Sequence, residues 1–245
     1  MSTVLATYNI KGGVGKTSAA VNLATLAAID GASTLLWDLD PQGASTYLFR
    51  VRPKIKGGGS KLVRGKSDVD ALIKGTDHEG LDLLPADFSY RHMDLELGDA
   101  KKPNRRLGAV LKPLRDEYEY TFLDCPPSIS LVSESVFEVA DALLVPIIPA
   151  TLSSRTLEQL HSVLDAKDTQ VLGFFSMADR RKKLHRELMD SLRDEHDILE
   201  TVIPSSAEVE RMGLHRAALV DFAPKSRAAR AYADLWDEVR VRVSS

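Results

Sequence analysis

The stretch Lys11-Gly12-Gly13-Val14-Gly15-Lys16-Thr17-Ser18 constrains this 245-residue chain more than any other part of it. An apolar run from Val4 to Tyr8 leads into it, and a helical pattern opens at Thr17. Gly12, Gly13 and Gly15 have no Cβ, so backbone N–H groups can close on phosphate oxygens there, and the helix start adds partial positive charge. Lys16 is placed to neutralise terminal phosphates and Thr17 to ligate Mg2+, with Val14 and Ser18 completing the cradle. The plain Gly-x-x-x-x-Gly-Lys-Ser/Thr loop needs a glycine where Ile10 stands. This chain instead reads Lys-Gly-Gly-x-Gly-Lys-Thr, with an extra lysine, Lys11, at its start. Strand, loop and helix in that order predict an α/β fold: a doubly wound, mainly parallel sheet with helices on both faces and a nucleotide site at the strand carboxyl ends.

Two further apolar runs end in acids. Thr34 to Trp37 has the unbroken apolar look of a strand buried on both faces, and it runs into Asp38-Leu39-Asp40-Pro41-Gln42-Gly43. Residues two apart in a strand point to the same side, so Asp38 and Asp40 can both face the carboxyl end, as metal and water chemistry requires. An acidic turn closed by Pro41 and Gly43 is the plainer alternative. Tyr120 to Leu123 likewise ends in Asp124, placed to hold Mg2+ through water. Pro126 and Pro127 follow and make a rigid turn in place of a helix cap.

With its leading lysine the loop resembles the deviant phosphate loop of the ParA/MinD family of ATPases, and Asp-x-Asp-Pro-Gln-Gly resembles that family's second signature. The resemblance covers nearly the whole chain and is weakest from Arg50 to Arg106 and from Ser206 to Gly213. It implies ATP and Mg2+ as ligands and a homodimer closed face to face across two nucleotides, with Lys11 reaching the partner subunit's phosphates. By position Asp40 would orient the attacking water and Asp38 would help hold the Mg2+ shell. Base contacts would fall at the ends of two later strands, Val171 to Phe175 and Ile198 to Ile203, on Met177, Asp179 and Pro204.

Arg180, Arg181, Lys182, Lys183 and Arg186 open a helix against its dipole, which calls for a partner anion. The closing helix starts around Lys225, where Arg227 and Arg230 share a face. ParA-type proteins grip DNA backbone without regard to sequence through such residues, which implies Lys182, Lys183, Arg186, Lys225, Arg227 and Arg230 here. Solvated surface is the alternative for all of them. The family further implies a ParB-like or other cargo adaptor as partner and a nucleoid location. A regulatory or metabolic enzyme of the same fold that leaves DNA alone is the rival reading.

The remaining features set bounds. A length of 245 suits one α/β domain, 1–245, and a net charge of −3 gives no global attraction to nucleic acid. The single cysteine, Cys125, excludes an intramolecular disulfide and argues against an iron–sulfur site within one chain, so a cytoplasmic location is expected. No leader, no membrane-length apolar run and no amphipathic helix after the fold are seen, so a membrane role is not expected. Seven basic residues and no acid between Arg50 and Lys66, around Gly57-Gly58-Gly59, read as a flexible loop that is either solvated or partner-contacting. A short helix at about Val69 to Ile73, strands at Leu81 to Leu84 and Leu143 to Ile148, the latter with prolines at its end, and a helix from Thr151 to about Ala166 complete the reading. The polar segment from Asp87 to Arg106 suggests no function.

Overall fold

The computed structural model describes residues 2–164 and 169–244. Eight strands form one sheet: β1 (Thr3–Thr7), β2 (Thr34–Asp38), β3 (Lys74–Gly75), β4 (Leu81–Leu84), β5 (Tyr120–Asp124), β6 (Ala142–Ile147), β7 (Gln170–Ala178) and β8 (Ile198–Pro204). The helices are α1 (Lys16–Ile29), α2 (Ala44–Leu48), α3 (Gly58–Val63), α4 (Met93–Gly98), α5 (Arg106–Leu111), α6 (Leu131–Val139), α7 (Ser153–Leu164), α8 (Lys183–Glu195), α9 (Ala207–His215), α10 (Leu219–Phe222) and α11 (Arg227–Val243). The strand order is β3-β4-β2-β5-β1-β6-β7-β8, parallel throughout except for the β3–β4 pair.

The central strands β1, β2, β5 and β6 are buried on both faces because their alternating side chains feed two separate cores. Val4, Ala6, Tyr8, Leu35 and Trp37 face a layer that includes α6 to α8, through Val136, Phe137, Leu157, Leu160 and Leu192. Leu5, Leu36 and Phe122 face the opposite layer, built on the small residues of α1 and on Tyr232, Leu235 and Trp236 of α11. The doubly wound arrangement follows directly. Trp236 also ties the two helices together: its ring meets Tyr120 edge-on at 5.0 Å, and its Nε1 donates to Asp30 at 2.8 Å.

Some boundaries differ from the sequence expectation. The helix after the phosphate loop begins at Lys16, and β7 continues past Phe175 to Ala178, held by β8 through the Ala178–Pro204 register. Pro146 lies inside β6, opposite Phe174. The expected end of α7 near Ala166 lies outside the described residues. Between Val69 and Ile73 there is only a 3-10 turn, Asp70–Leu72.

The basic segment from Arg50 to Lys66 is not a flexible loop. Gly57 and Gly58 take φ of 91° and 69° and turn the chain into α3, whose Leu62 and Val63 are buried. A Cβ on Gly59 would stand 2.7 Å from the Tyr90 ring, so the third glycine permits a close approach of the helix to that ring. Arg64 pairs with Glu96 at 2.7 Å and Arg50 pairs with Asp77. Among the described residues no helix is long and apolar enough to cross a membrane.

At its β8 edge the sheet is closed off by a side chain. The Glu238 carboxylate on α11 accepts from the backbone N–H groups of Glu200 at 2.7 Å and Thr201 at 3.0 Å.

Candidate nucleotide-binding site

Three adjacent strands deliver the site. Thr7 of β1 stands beside Asp124 of β5, and Asp124 stands beside Asp38 of β2, so the loop and both acids leave the sheet at the same edge. The turn out of β1 is pinned by Asn9, whose side chain accepts from the Lys11 N–H at 2.9 Å and donates to the Pro146 carbonyl at 2.8 Å. Gly13 and Gly15 adopt φ of 70° and 101°. An L side chain is strained at either value, and a Cβ on Gly15 would in addition meet Ser176 Oγ at 2.8 Å. Helix α1 starts with neither a side-chain cap nor an acid in its first turn. Its first N–H groups therefore point at the loop with their partial charge uncompensated by this chain, which is what an anion site needs.

Lys16 is only 7% exposed, and its ammonium donates to the Lys11 carbonyl at 2.9 Å. Burial pushes its pKa down from the ordinary value, while Asp124, Cys125 and Asp40 pull it back. Asp38 and Asp124 are both wholly buried. Asp38 accepts from Thr46 N–H at 2.8 Å and Thr46 Oγ1 at 2.7 Å on one oxygen, and from Asp40 N–H at 3.2 Å on the other. Asp124 accepts from Ser45 Oγ at 2.6 Å, and the Thr17 hydroxyl also bonds to it. Burial raises Asp38 to about 8 and Asp124 to about 6, with the Asp124 and Asp40 charges adding to the first shift and the Asp40 charge to the second.

Two buried carboxylates that resist ionisation, next to a threonine hydroxyl and an ammonium, form a donor set suited to a hard divalent cation. The glycine cradle suits phosphate. Asp40 is only partly covered and accepts from Gln42 N–H at 2.9 Å. Cys125 is buried with its thiol pKa pushed well above the ordinary value, mainly by that burial, so the thiolate is suppressed.

Lys11 is turned along its own chain, its ammonium donating to the Leu152 carbonyl at 3.3 Å. Leu152 is 60% exposed and Ile129, two residues past Pro127, is 54% exposed, while Gly12 and Gly13 also face outward. The loop thus opens on a face with uncovered apolar side chains. Met177 sits near the end of β7 with a φ of 54°, and Pro204 ends β8 beside it, with Ser205 N–H donating to the Ala178 carbonyl at 3.0 Å. Asp179 is committed elsewhere: Arg181 grips both its oxygens, at 2.9 and 3.0 Å, and holds its pKa down at about 2.

A cleft of about 960 Å³ runs along β8 between the starts of α8 and α11 and brings Arg180, Arg181 and Arg227 together. Glu200, Glu208 and Asp234 line it as well. Lys182 and Lys225 precede the two helices, Lys183 opens α8, and Arg230 is exposed on α11. Part of the positive charge at the start of α8 finds partners within the chain. Arg186 donates to the carbonyls of Arg180 and Arg181 at 2.7 and 3.2 Å, and Arg181 has Asp179.

A glycine cradle at the first strand's end, backed by acids from the two neighbouring strands, defines a phosphate-loop nucleotide-binding fold. Comparison with known proteins makes that specific: the model of the AAA domain family matches residues 2–173, and the chain belongs to that family, among its ParA-type ATPases. It is 32% identical to the chromosome partitioning protein ParA of Caulobacter vibrioides, over 96% of this chain and 93% of that one. It is 29% identical to the sporulation initiation inhibitor protein Soj of Bacillus subtilis, over 98% of each. Among solved structures, a putative plasmid partition protein from Borrelia burgdorferi bound to AMPPNP superposes with a TM-score of 0.88 at 19% identity, covering 99% and 100% of the two chains. A cobyrinic acid a,c-diamide synthase from Mycobacterium smegmatis with bound ADP and magnesium gives 0.84 at 25%, covering 100% and 96%.

Proposed function

We propose that this chain is a single-domain ATPase, 1–245, that closes into a homodimer on ATP, binds DNA without sequence preference and positions a plasmid, chromosome or protein assembly along a nucleoid. A ParB-like or other adaptor protein would stimulate its hydrolysis. The observation that carries the reading is the uncapped start of α1 behind a left-handed glycine cradle, opening on a face where Ile129 and Leu152 are uncovered beside Lys11.

In this reading the N–H groups from Gly12 to Ser18 bind the phosphates and Lys16 neutralises their charge. Thr17, Asp38 and Asp124 hold Mg2+, which when bound spreads phosphate charge and favours ionisation of the two acids. Asp40 orients water, and Lys11 leaves Leu152 to meet the partner subunit's phosphates. Met177 and Pro204 border the base. Closure sets two copies of Lys182, Lys183, Arg186, Lys225, Arg227 and Arg230 side by side, and doubled phosphate contacts make DNA affinity steep in salt.

The acids in the β8 cleft favour a second reading, a regulatory or metabolic ATPase of the same fold that engages only proteins or small substrates. Binding to random-sequence duplex DNA with ATP, with ADP and without nucleotide, across a salt series, separates the two. ATP-dependent binding that falls steeply with salt supports the first, and no binding at low salt in any state removes it.

A further inference from the structure

A second cavity, of about 820 Å³, opens between α2 and α9. It shares Thr17 and Ser18 with the phosphate loop and neither Met177 nor Pro204, so it lies on the α2 side of that loop, against the Gln42-Gly43 turn. Leu48, Val51, Val209 and Met212 make it apolar. Val209, Met212, Gly213 and Arg216 line it at helical spacing, one face of α9 and its end.

Three arginines stand around this apolar floor: Arg50, Arg52 and Arg216. Arg50 and Arg216 both sit in the left-handed region, at φ of 59° and 50°. Arg216 closes α9, a left-handed position that glycine occupies without strain and an arginine does not. Its guanidinium stands 4.4 Å above the Tyr47 ring, with Nε donating to the Tyr47 carbonyl at 3.0 Å, at the cavity wall. Arg50 has Asp77, whereas Arg52 is exposed and has no ionic partner among the described residues. Apolar walls with a few convergent polar groups, at this volume, are the usual make-up of a small-molecule pocket. Positive charge on the rim selects what kind.

We infer that this cavity binds a small amphipathic anion, its apolar body against Leu48, Val209 and Met212 and its carboxylate, sulfonate or phosphate head on Arg52 and Arg216. The site is independent of the ATPase reading, since its occupancy can be measured without nucleotide. Gly213 supplies the control. A Cβ there meets nothing within 4 Å, and its backbone is ordinary helix, so Gly213→Phe fills the cavity without strain.

The test titrates the nucleotide-free full chain with 1-anilinonaphthalene-8-sulfonate and follows fluorescence. The expected result is saturable binding at one site, weakened about tenfold or more by Arg52→Glu, as expected for loss of a charge-assisted contact, and abolished by Gly213→Phe. Circular dichroism and melting temperature verify both folds, and Arg52→Glu, at an exposed position, carries the test if Gly213→Phe fails to fold. Competition with dodecanoate and with 2-naphthoate sorts alkyl from aryl ligands, either of which fits. Unsaturable binding, binding unchanged in Arg52→Glu, or equal competition by dodecanol overturns the inference. So does displacement by ADP, which would assign the cavity to the nucleotide.

Discussion

Thr46→Val tests whether the buried acids are held by the hydroxyls of α2. The substitution keeps the side-chain shape and removes one atom that serves two partners. Thr46 Oγ1 donates to Asp38 at 2.7 Å and accepts from Ala86 N–H at 2.9 Å, all within the fully covered interior. The Asp38 oxygen keeps its bond from Thr46 N–H, so the loss on that side is partial, about 1 kcal/mol. Ala86 N–H is left buried with its acceptor gone, and such a group costs about 1–3 kcal/mol. The sum is about 3 kcal/mol, which at a urea slope of about 3 kcal/mol per molar moves the midpoint down by about 1 M with the slope unchanged. Urea unfolding of the nucleotide-free protein, followed by circular dichroism, measures this. A shift smaller than about 0.2 M would refute the reasoning, since it would mean that the hydroxyl contributes no more than a surface contact.

Gly15→Ala places a side chain at φ 101° and against Ser176 Oγ, so nucleotide affinity should fall at least about tenfold while the fold persists; binding of a fluorescent ADP analogue checks it. Lys11→Ala should bind ATP but fail to dimerise on it and lose hydrolysis, read by light scattering and phosphate release; dimerisation and turnover at the wild-type level would sink the proposed sandwich. His78 sets a pH dependence: its bond to Asp221, 3.3 Å away, raises its pKa above the ordinary 6.5. The native state then holds the proton more tightly than the unfolded one, so this contribution is full below 6.5 and is lost as pH rises through the folded value. The melting-temperature gap between the wild type and His78→Gln should accordingly be wider at about pH 5.5 than at about pH 9.

What the sequence made legible was local. The order of strand, glycine loop and helix, and the acids at the ends of β2 and β5, sit in short stretches whose chemistry is readable without knowing what lies across the sheet. Asn9, Ser45, Thr46 and Ser176 were missed because their value comes from partners far along the chain: Asn9 reaches Pro146 and Ser45 reaches Asp124. A hydroxyl or amide carries no mark of such a partner in its own neighbourhood. The Gly57 to Gly59 run looked like slack for a similar reason. Three glycines in a basic stretch suggest mobility, but the Tyr90 ring, from much later in the chain, decides how Gly59 is used. The internal partners at the start of α8 were not legible either: Arg186 folds back on the carbonyls preceding its own helix.

The Glu238 carboxylate at the outer strand has a consequence for how copies of this chain can meet. An open strand edge is a template on which any extended segment can grow, and sheets left bare there join into fibres. Here two consecutive N–H groups of β8 are already spoken for by a charge, and a guest strand would have to displace it and leave that charge facing backbone carbonyls. Arg193 takes the Glu200 carbonyl on the same strand at 2.8 Å, so donors and acceptors are both occupied. Copies of this chain are thereby hindered from joining edge to edge through β8.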